Sequence, residues 1–313
     1  LRLSSAASDV YKRQVLVVGG SGFLGSHVAD ELTEKGYEVT IFDQKKSTWI
    51  NDNQKFIESD LLDREHVIKS LEGFNFVIHF AGIADIGESK EKPLETIETN
   101  IIGTANLLEG CRKNKIEKFI FASSVYVFSK YGSFYGKSKQ ACELLIEEYQ
   151  NEFNLDYIHV RYGSLYGPRA QEWNGLKKYI SEIIKNKQID FSGNGEEKRE
   201  YIHVKDAAIM TASLLESDEK NIAVNITGHQ VISTLDLFKL IFEVLQLEEK
   251  INLSKESNVV SHYKISPYSF QPKESKKLVP KKFIDIGQGV LEIIHEIEAV
   301  SYTHLRAHET LEN

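Results

Sequence analysis

The chain has 313 residues, enough for one large domain or for two lobes with a substantial core. Its net charge is −8, which disfavours binding to nucleic acid or to an anionic membrane. No apolar run approaches the roughly 20 residues of a membrane span, and two cysteines without a Cys/His cluster predict reduced thiols, a cytoplasmic location and no metal site.

The two ends of the chain differ from the rest in sequence. Residues 1–14 and 301–313 resemble translated adapter sequence, and neither shows a periodicity that joins it to its neighbours. We therefore expect them to be non-native tails and exclude them from the fold prediction.

Short apolar runs alternate with helical patterns through the first half of the chain. Such a run between helical segments is typical of a strand buried on both faces of a sheet. This alternation predicts an α/β fold of the Rossmann type, a doubly wound parallel sheet, over residues 15–162. The predicted strands are 15–18, 39–42, 55–58, 76–80, 118–122 and 156–160, and the main helices are 23–35, 93–115 and 134–150.

The pattern is less regular after residue 162. Helices are predicted at 176–186, 204–215 and 234–245, joined by short strands and polar loops. We expect residues 163–300 to form mainly a smaller α/β substrate-binding lobe, with about 200–216 returning to the Rossmann domain.

A glycine-rich turn links the first predicted strand to the first predicted helix. Gly19, Gly22 and Gly25 permit a tight turn, close approach of the backbone to a pyrophosphate, and packing of the helix on the strand. The helix N-terminus offers free N–H groups to the same anion. A dinucleotide is therefore predicted to bind along this segment, which also includes Phe23 and Leu24.

Carboxylates follow the second and third predicted strands. Asp43 stands 18 residues after Gly25, where a carboxylate accepts the ribose hydroxyls and repels a 2′-phosphate, so the predicted cofactor is NAD. Asp60 and the adjoining Leu61 are placed to contact the adenine. The alternative for Asp60 is that it caps the helix that begins near Asp63.

Ser124, Tyr135 and Lys139 have the spacing of a hydride-transfer site. Tyr135 and Lys139 are four apart on a predicted helix and share one face, and Ser124 follows the fifth strand at the carboxyl edge of the sheet. An ammonium group and the positive nicotinamide lower the pKa of a phenol from about 10, so the phenolate can take a proton from a sugar hydroxyl while hydride leaves for NAD. Ser124 is expected to hydrogen-bond the same hydroxyl. The alternative is an ordinary surface Tyr/Lys pair.

Further motifs show that the chain resembles the extended short-chain dehydrogenases, and within them the UDP-galactose 4-epimerase-like enzymes that act on nucleotide sugars. The resemblance covers roughly residues 15–298. Besides the features above, it rests on HFAG at 79–82, GES at 87–89, NIIGTANLLE at 100–109, RY at 161–162, YGPR at 166–169, GNG at 193–195 and REYIHVKD at 199–206.

The resemblance implies roles for individual residues. Ser124, Tyr135 and Lys139 would form the catalytic triad, and the latter two would also line the cofactor site. Asn100 would hold structural hydrogen bonds behind the site, and Arg199 would contact the substrate diphosphate, whose oxygens suit its fork of donors. The residues that would run beside the cofactor are Phe80, Ala81 and Gly82.

Three departures from the family pattern bear on the reaction. Val125 and Tyr126 stand where the sugar 4,6-dehydratases carry an acidic pair, so elimination lacks its proton donor. Gly163 and Ser164 replace a Phe-Asn pair, which leaves Ser164 as the substrate contact there. The segment 268–273 lacks the arginine that often clamps the nucleotide.

The leading hypothesis is a nucleotide-sugar 4-epimerase, in which hydride leaves C4 for tightly held NAD and returns to the other face. One alternative is a dehydrogenase or reductase of the same family, which shares every motif. Another is a non-catalytic NAD-binding regulator on the same fold.

The resemblance also implies a homodimer, because extended family members pair two long helices into an interface. Helices 93–115 and 134–150 carry apolar residues beyond one core-facing stripe. The alternative is that both stripes are buried within the monomer. The residues concerned include Leu107, Leu108, Leu144, Leu145 and Ile146.

Overall fold

The structure, a computed structural model, describes residues 13–254 and 276–309, with side chains as far as residue 300. The strands are β1 (Gln14–Val18), β2 (Glu38–Asp43), β3 (Gln54–Glu58), β4 (Phe76–His79), β5 (Lys118–Ser124), β6 (Tyr157–Tyr162), β7 (Ser164–Tyr166), β8 (Ile189–Ser192), β9 (Lys198–His203), β10 (Ile222–Ile226), β11 (Val231–Ser233), β12 (Ile251–Ser254) and β13 (Lys276–Leu278). The helices are α1 (Phe23–Glu34), α2 (Arg64–Ser70), α3 (Ile86–Glu91), α4 (Pro93–Ile97), α5 (Gly103–Asn114), α6 (Ser133–Phe153), α7 (Gly175–Asn186), α8 (Val204–Glu216), α9 (Thr234–Val244) and α10 (Ile286–Glu309).

Eight strands form one parallel sheet in the order β13-β10-β6-β5-β4-β1-β2-β3. The chain winds outward from β1 to β3, then returns to β4 and winds outward in the other direction. The connections that leave the carboxyl ends of β1 and β4 therefore run in opposite directions, and ligands bind in sheets of this kind in the crevice between them. The predicted Rossmann-type α/β fold is confirmed.

The strands of the sheet are apolar because both of its faces are covered. In β1, Val15 and Val17 pack with α1 and α8, whereas Leu16 and Val18 face the opposite core that α2, α5 and α6 cover. Successive side chains of a strand point to opposite faces, so a strand between two helical layers is apolar at most positions on both faces.

The second half of the chain contributes to both lobes. A three-stranded sheet, β11-β9-β7, and a two-stranded sheet, β12-β8, lie with α7, α9 and α10 around a third core. Helix α8 packs against α1 under the large sheet, and β10 and β13 extend that sheet beyond β6. The sequence pattern did not indicate β10 and β13, because only long-range pairing distinguishes them from loops.

Several boundaries differ from the sequence prediction. The predicted helix 93–115 is divided into α4 and α5 by a π-helical turn, Glu98–Ile102. The predicted tails overlap ordered elements: Gln14 begins β1, and α10 runs through residue 309. Residues 1–12, 310–313 and the segment 268–273 lie outside the described residues. Among the helices of the described ranges, none is long and apolar enough to cross a membrane.

Candidate active site

A cleft of about 800 Å³ opens at the carboxyl edge of the large sheet and is closed on its far side by the second lobe. It brings together most of the residues that the sequence singles out. Asp60 and Asn100 are not among its lining residues. The predicted residues that line it are Gly19, Gly22, Phe23, Leu24, Gly25, Asp43, Leu61, Phe80, Ala81, Gly82, Ser124, Tyr135, Lys139, Ser164 and Arg199.

The glycine turn after β1 forms a cradle made of backbone. Gly19 has φ +79°, and a Cβ there would lie 2.5 Å from the amide nitrogen of Ala81. A Cβ on Gly25 would lie 2.3 Å from the carbonyl oxygen of Gly19. Gly22 is the N-cap of α1 and supplies no side-chain hydrogen bond, so the first N–H groups of the helix are left for a ligand. This arrangement fits the pyrophosphate of a dinucleotide.

Asp43 ends β2 beside this turn. One of its oxygens, Oδ2, accepts a hydrogen bond of 3.0 Å from the backbone N–H of Ser21. Burial raises the pKa of Asp43, although N–H bonds from Ser21, Gln44 and Lys45 act in the opposite direction. A carboxylate has about four acceptor positions, so three N–H bonds leave about one for a hydroxyl of an adenosine ribose. The residues present therefore fit NAD.

Asp60 is not the helix cap that the alternative expects, and it is not among the residues that line the cleft. Its Oδ1 accepts a hydrogen bond of 2.8 Å from the N–H of Leu62, and its side chain is exposed outside the cleft. The N-cap of α2 is Asp63, whose side chain accepts from the N–H of His66. The alternative that Asp60 caps this helix is therefore wrong, while the neighbouring Leu61 does line the cleft.

Lys139 is buried at the floor of the cleft, with 5% of its surface exposed. Its Nζ lies 4.7 Å from the centre of the Phe121 ring and 5.9 Å from the centre of the Tyr135 ring. Burial lowers the pKa of Lys139 to about 8, although Cys142 and Glu143 act in the opposite direction. The ammonium charge is therefore held close to the phenol of Tyr135 without full hydration.

Ser124 is the last residue of β5 and lines the same cleft as this pair. Its Oγ accepts a hydrogen bond of 3.3 Å from the N–H of Tyr126. Because a hydroxyl can accept and donate at once, this bond leaves the Ser124 proton for a ligand in the cleft.

Asn100 lies behind the cleft, in the π-helical turn. Its Oδ1 accepts from the N–H of Ile83 at 2.8 Å, and its Nδ2 donates to the Ile83 oxygen at 3.0 Å and to Ser138 Oγ at 2.9 Å. Ser138 Oγ in turn donates to the carbonyl oxygen of Tyr135. Asn100 thus connects the loop beside the cofactor cradle to α6, which agrees with the structural role that the resemblance implies.

Tyr126 lines the cleft next to Tyr135, a position that sequence reasoning did not assign to the site. The two rings meet edge to face, with centres 6.3 Å apart and planes at 73°. Gly132 has φ +92° and leaves room for the Tyr126 ring, since a Cβ there would lie 2.6 Å from Tyr126 Cδ1. The place of Tyr126, two residues after Ser124 in a short loop, is the signal that could have identified it.

The loop before α7 adds lining residues that carry no sequence signal. Its place depends on Arg169, whose Nη1 lies 2.8 Å from Asp30 Oδ2 and whose guanidinium lies 5.0 Å from the Trp49 ring centre. Such tertiary contacts leave no periodic mark in a sequence. The additional lining residues are Gln171, Trp173 and Asn174.

Ser164 and Arg199 come to the cleft from the small sheet, on β7 and β9. Ser164 is opposite Tyr201 in the parallel register of these strands, and Tyr201 also lines the cleft. His203, by contrast, is buried below the sheet, where burial lowers its pKa to about 4. Within the described part of the chain, no group of three or more His, Cys, Asp and Glu residues could hold a metal ion.

Comparison with known proteins gives one family. Residues 15–227 match the NAD dependent epimerase/dehydratase family. A putative UDP-glucose 4-epimerase from Methanocaldococcus jannaschii is 30% identical over 304 residues, and the match covers 90% of this chain and 97% of that protein.

Solved structures give the same result. The UDP-glucose 4-epimerase of Thermotoga maritima, determined with UDP-glucose, is 25% identical with a TM-score of 0.78, over 92% of this chain and 99% of that one. The Thermus thermophilus enzyme of the same name, in complex with NAD, is 25% identical with a TM-score of 0.75, over 90% and 98% of the two chains. These matches confirm the resemblance that the sequence motifs indicate.

Proposed function

We propose, on the premise that the chain belongs to the NAD-dependent epimerase/dehydratase family, that it is a nucleotide-sugar 4-epimerase that keeps NAD bound throughout the reaction. The observation that carries this proposal is the presence of Ser124, Tyr135 and Lys139 in one cleft with the glycine cradle and Asp43. Relatives of similar sequence and fold are UDP-glucose 4-epimerases.

The cradle from Gly19 to Gly25 would hold the pyrophosphate of NAD, and Asp43 would hold the adenosine ribose. Lys139 would donate to the nicotinamide ribose from below, and the backbone from Phe80 to Gly82 would run along the cofactor. When bound, NAD supplies a hydride acceptor and donor at C4 of the sugar.

The proton moves through Tyr135. Its phenolate accepts the proton of the C4 hydroxyl as the C4–H bond breaks, which leaves a 4-keto sugar. Ser124 donates a hydrogen bond to the same oxygen and stabilises the developing carbonyl. After the keto sugar has rotated in the cleft to present its other face, Tyr135 returns the proton as the opposite epimer forms. The adjacent Lys139 ammonium favours the phenolate in the first step.

The second lobe would hold the nucleotide diphosphate. Arg199 offers a planar fork of donors that suits phosphate oxygens, and Ser164 offers a hydroxyl at the same side of the cleft. Val125 and Tyr126 supply no carboxylate beside Ser124, which favours epimerisation over elimination of the 6-hydroxyl.

The test starts from protein that has passed through gel filtration without added cofactor. The protein is incubated with UDP-glucose, UDP-galactose or UDP-N-acetylglucosamine, and the products are separated by chromatography. We expect bound NAD and a mixture of the two C4 epimers for at least one sugar. The Tyr135→Phe/Lys139→Met double variant is the control.

Two other outcomes would replace the proposal. Stoichiometric consumption of added NAD or NADH, with a change in the oxidation state of the sugar, would identify a dehydrogenase or reductase. Firmly bound NAD with no turnover of any sugar would favour a non-catalytic regulator.

We further propose that the protein is a homodimer formed through α4, α5 and α6. Leu107, Leu108 and Ile146 are buried within the protomer, so they are not part of an exposed stripe. Leu144 on α6 is 64% exposed and Leu94 on α4 is 73% exposed, on helices that pack side by side. These apolar side chains support the dimer.

We also propose that residues 15–162 form one lobe and residues 163–300 mainly a second. A cytoplasmic location is proposed as well, and the buried free thiols of Cys111 and Cys142 support it.

A further inference from the structure

Glu143 is a buried carboxylate on the catalytic helix that the proposed reaction does not use. It lies two turns after Tyr135 and one turn after Lys139 on α6, and only 1% of its surface is exposed. Burial would raise the pKa of Glu143, but the hydrogen bonds and charge of Arg161 hold it below its ordinary value. A charged carboxylate therefore lies inside the protein, beside the catalytic residues.

The contacts of Glu143 reach the end of the strand that carries Ser124. Its Oε1 accepts from Ser123 Oγ at 2.6 Å and from Arg161 Nε at 2.8 Å, and its Oε2 accepts from Arg161 Nη2 at 2.8 Å. Ser123 on β5 is opposite Arg161 on β6 in the parallel register. One carboxylate on α6 thus binds both strands at the position next to Ser124.

Arg161 extends the same network to the turn that follows Ser124. Its guanidinium carbon lies 4.8 Å from the centre of the Phe128 ring, and the ion pair with Glu143 is almost fully buried on both sides. A buried ion pair adds little net stability compared with a well-packed apolar pair, because both charges lose their hydration. Stability alone therefore does not account for the placement of these charges beside Ser124.

Glu143 also acts electrostatically on Lys139. The groups that face Lys139 are Phe121 of β5, His79 of β4, and Tyr135, Cys142 and Glu143 of its own helix. Burial lowers the pKa of His79 and raises the pKa of the Cys142 thiol, so both are uncharged near neutral pH. The negative charge that acts on the Lys139 ammonium is then that of Glu143.

We propose that Glu143 is a positioning residue: held by Ser123 and Arg161, it fixes the catalytic helix against the end of β5 and supplies the counter-charge of the Lys139 ammonium. This inference rests on the proposed function, because it assigns Glu143 to the same hydride-transfer site. Its charge would oppose the effect of burial on Lys139 and so raise the pH at which Lys139 loses its proton, and its hydrogen bonds would set the distance from Tyr135 to Ser124.

The experiment compares Glu143→Gln with the double variant Glu143→Gln/Arg161→Gln. The single variant leaves the buried Arg161 charge without the carboxylate that pairs with it, so its unfolding temperature should fall. The double variant removes both charges and should recover much of that loss. In both variants kcat should fall about tenfold or more with KM within about threefold, because the alignment of the site and the charge beside Lys139 are lost.

The second readout is NAD affinity as a function of pH, measured by calorimetry without any sugar. Affinity should decrease as Lys139 loses its proton. Removal of a nearby negative charge disfavours the ammonium, so the midpoint of this decrease should move to lower pH in both variants, and further in Glu143→Gln, which keeps the Arg161 charge. Ser123→Ala removes one hydrogen bond but keeps the charge, so it should lower kcat without moving the midpoint.

The matched control is Asp156→Asn, which removes a carboxylate that pairs with Lys220 at the amino end of β6, away from the cleft. It should lower stability and leave kcat and the NAD midpoint unchanged. A double variant with recovered stability, wild-type kcat and a wild-type midpoint would show that Glu143 is only structural. The calorimetric result does not require an active sugar, so failure of this inference and failure of the epimerase proposal can be told apart.

Discussion

The ammonium nitrogen of Lys139 lies 5.9 Å from the centre of the Tyr135 ring, one helical turn further along α6. Lys139 is buried and its pKa is lowered to about 8, whereas Tyr135 borders the open cleft. The two residues are thus placed for different tasks, one electrostatic and one in proton transfer. Substitutions at the two positions should therefore have different effects.

Tyr135→Phe should remove activity and leave the fold intact. The change deletes one hydroxyl and keeps the ring, so packing against Tyr126 is preserved. General acid–base catalysis is typically worth about 10²–10⁴-fold, so turnover of the active nucleotide sugar should fall at least 100-fold. Tyr131→Phe, outside the cleft lining, is the control and should keep turnover. A folded Tyr135→Phe variant, checked by circular dichroism, with more than about a tenth of wild-type turnover would contradict the mechanism.

Lys139→Met should stabilise the NAD-free protein while it weakens NAD binding. The folded-state pKa of about 8 lies below the ordinary value of 10.5, so the folded state loses its proton first as pH rises. Below pH 8 the buried charge lowers the free energy of unfolding by its full effect, on the order of 3 kcal/mol. This effect disappears between about pH 8 and 10.5.

Urea unfolding of NAD-free protein at pH 7 and pH 10 tests this sign. The gain from Lys139→Met should be largest at pH 7 and should shrink towards pH 10. Lys137→Met, which is exposed on the same helix, should change little at either pH. If Lys139→Met is less stable than the wild type at pH 7, and the difference is the same at pH 10, the buried charge does not lower the stability of the folded protein.

Asp43 should make the protein prefer NAD over NADP. Its carboxylate ends β2 beside the glycine turn and would repel a 2′-phosphate at the ribose. Titration of both dinucleotides should show at least a tenfold preference, or about 1.4 kcal/mol, for NAD. Asp43→Asn should reduce this preference, and Asp52→Asn in the following loop should not. A tenfold preference of the wild type for NADP would reject the assignment.

Asn100→Ala should lower both stability and turnover. It removes the side chain that binds the N–H and the oxygen of Ile83 and the hydroxyl of Ser138. Loss of partners for these partly buried groups should cost about 1–2 kcal/mol, measured by chemical unfolding. Asn114→Ala removes two hydrogen bonds far from the cleft and is the control. Equal turnover in the two variants would mean that the link between loop and helix has no catalytic effect.

Leu144→Lys should convert the proposed dimer into a monomer. A charged side chain at this exposed apolar position could not be buried in an interface without loss of hydration. Light scattering at micromolar concentration should give the mass of a dimer for the wild type and of a monomer for the variant. Val231→Lys, also exposed but in the second lobe, should remain dimeric. A monomeric wild type would reject the proposal.

The central part of the fold was predictable because its signals are local. Six apolar runs correspond to the first six strands, β1 to β6, and the glycine turn marks where β1 meets α1. Tyr135, Lys139 and Ser124 followed from helix spacing and from the end of a strand. All three kinds of signal come from residues that are close together in the sequence, so they can be recognised from sequence spacing alone.

Other features depend on contacts that sequence spacing does not record. The π-helical turn at Glu98–Ile102 leaves the helical pattern around it unchanged, so one long helix was expected. Glu143 is a charged residue on an amphipathic helix, where burial against a strand arginine cannot be predicted from spacing. The helix cap could not be assigned from spacing either, since Asp63 caps α2 and Asp60 accepts from the N–H of Leu62.

The position of β10 beside β6 has a consequence for biosynthesis. Until residues 222–226 have left the ribosome, β6 has a bare edge, with Ile158 and Val160 on one face of the sheet and Tyr157 on the other. Exposed edges of this kind promote association between nascent chains. A fragment that stops at residue 162 should therefore aggregate, so the two halves of the molecule cannot be produced as separate folding units.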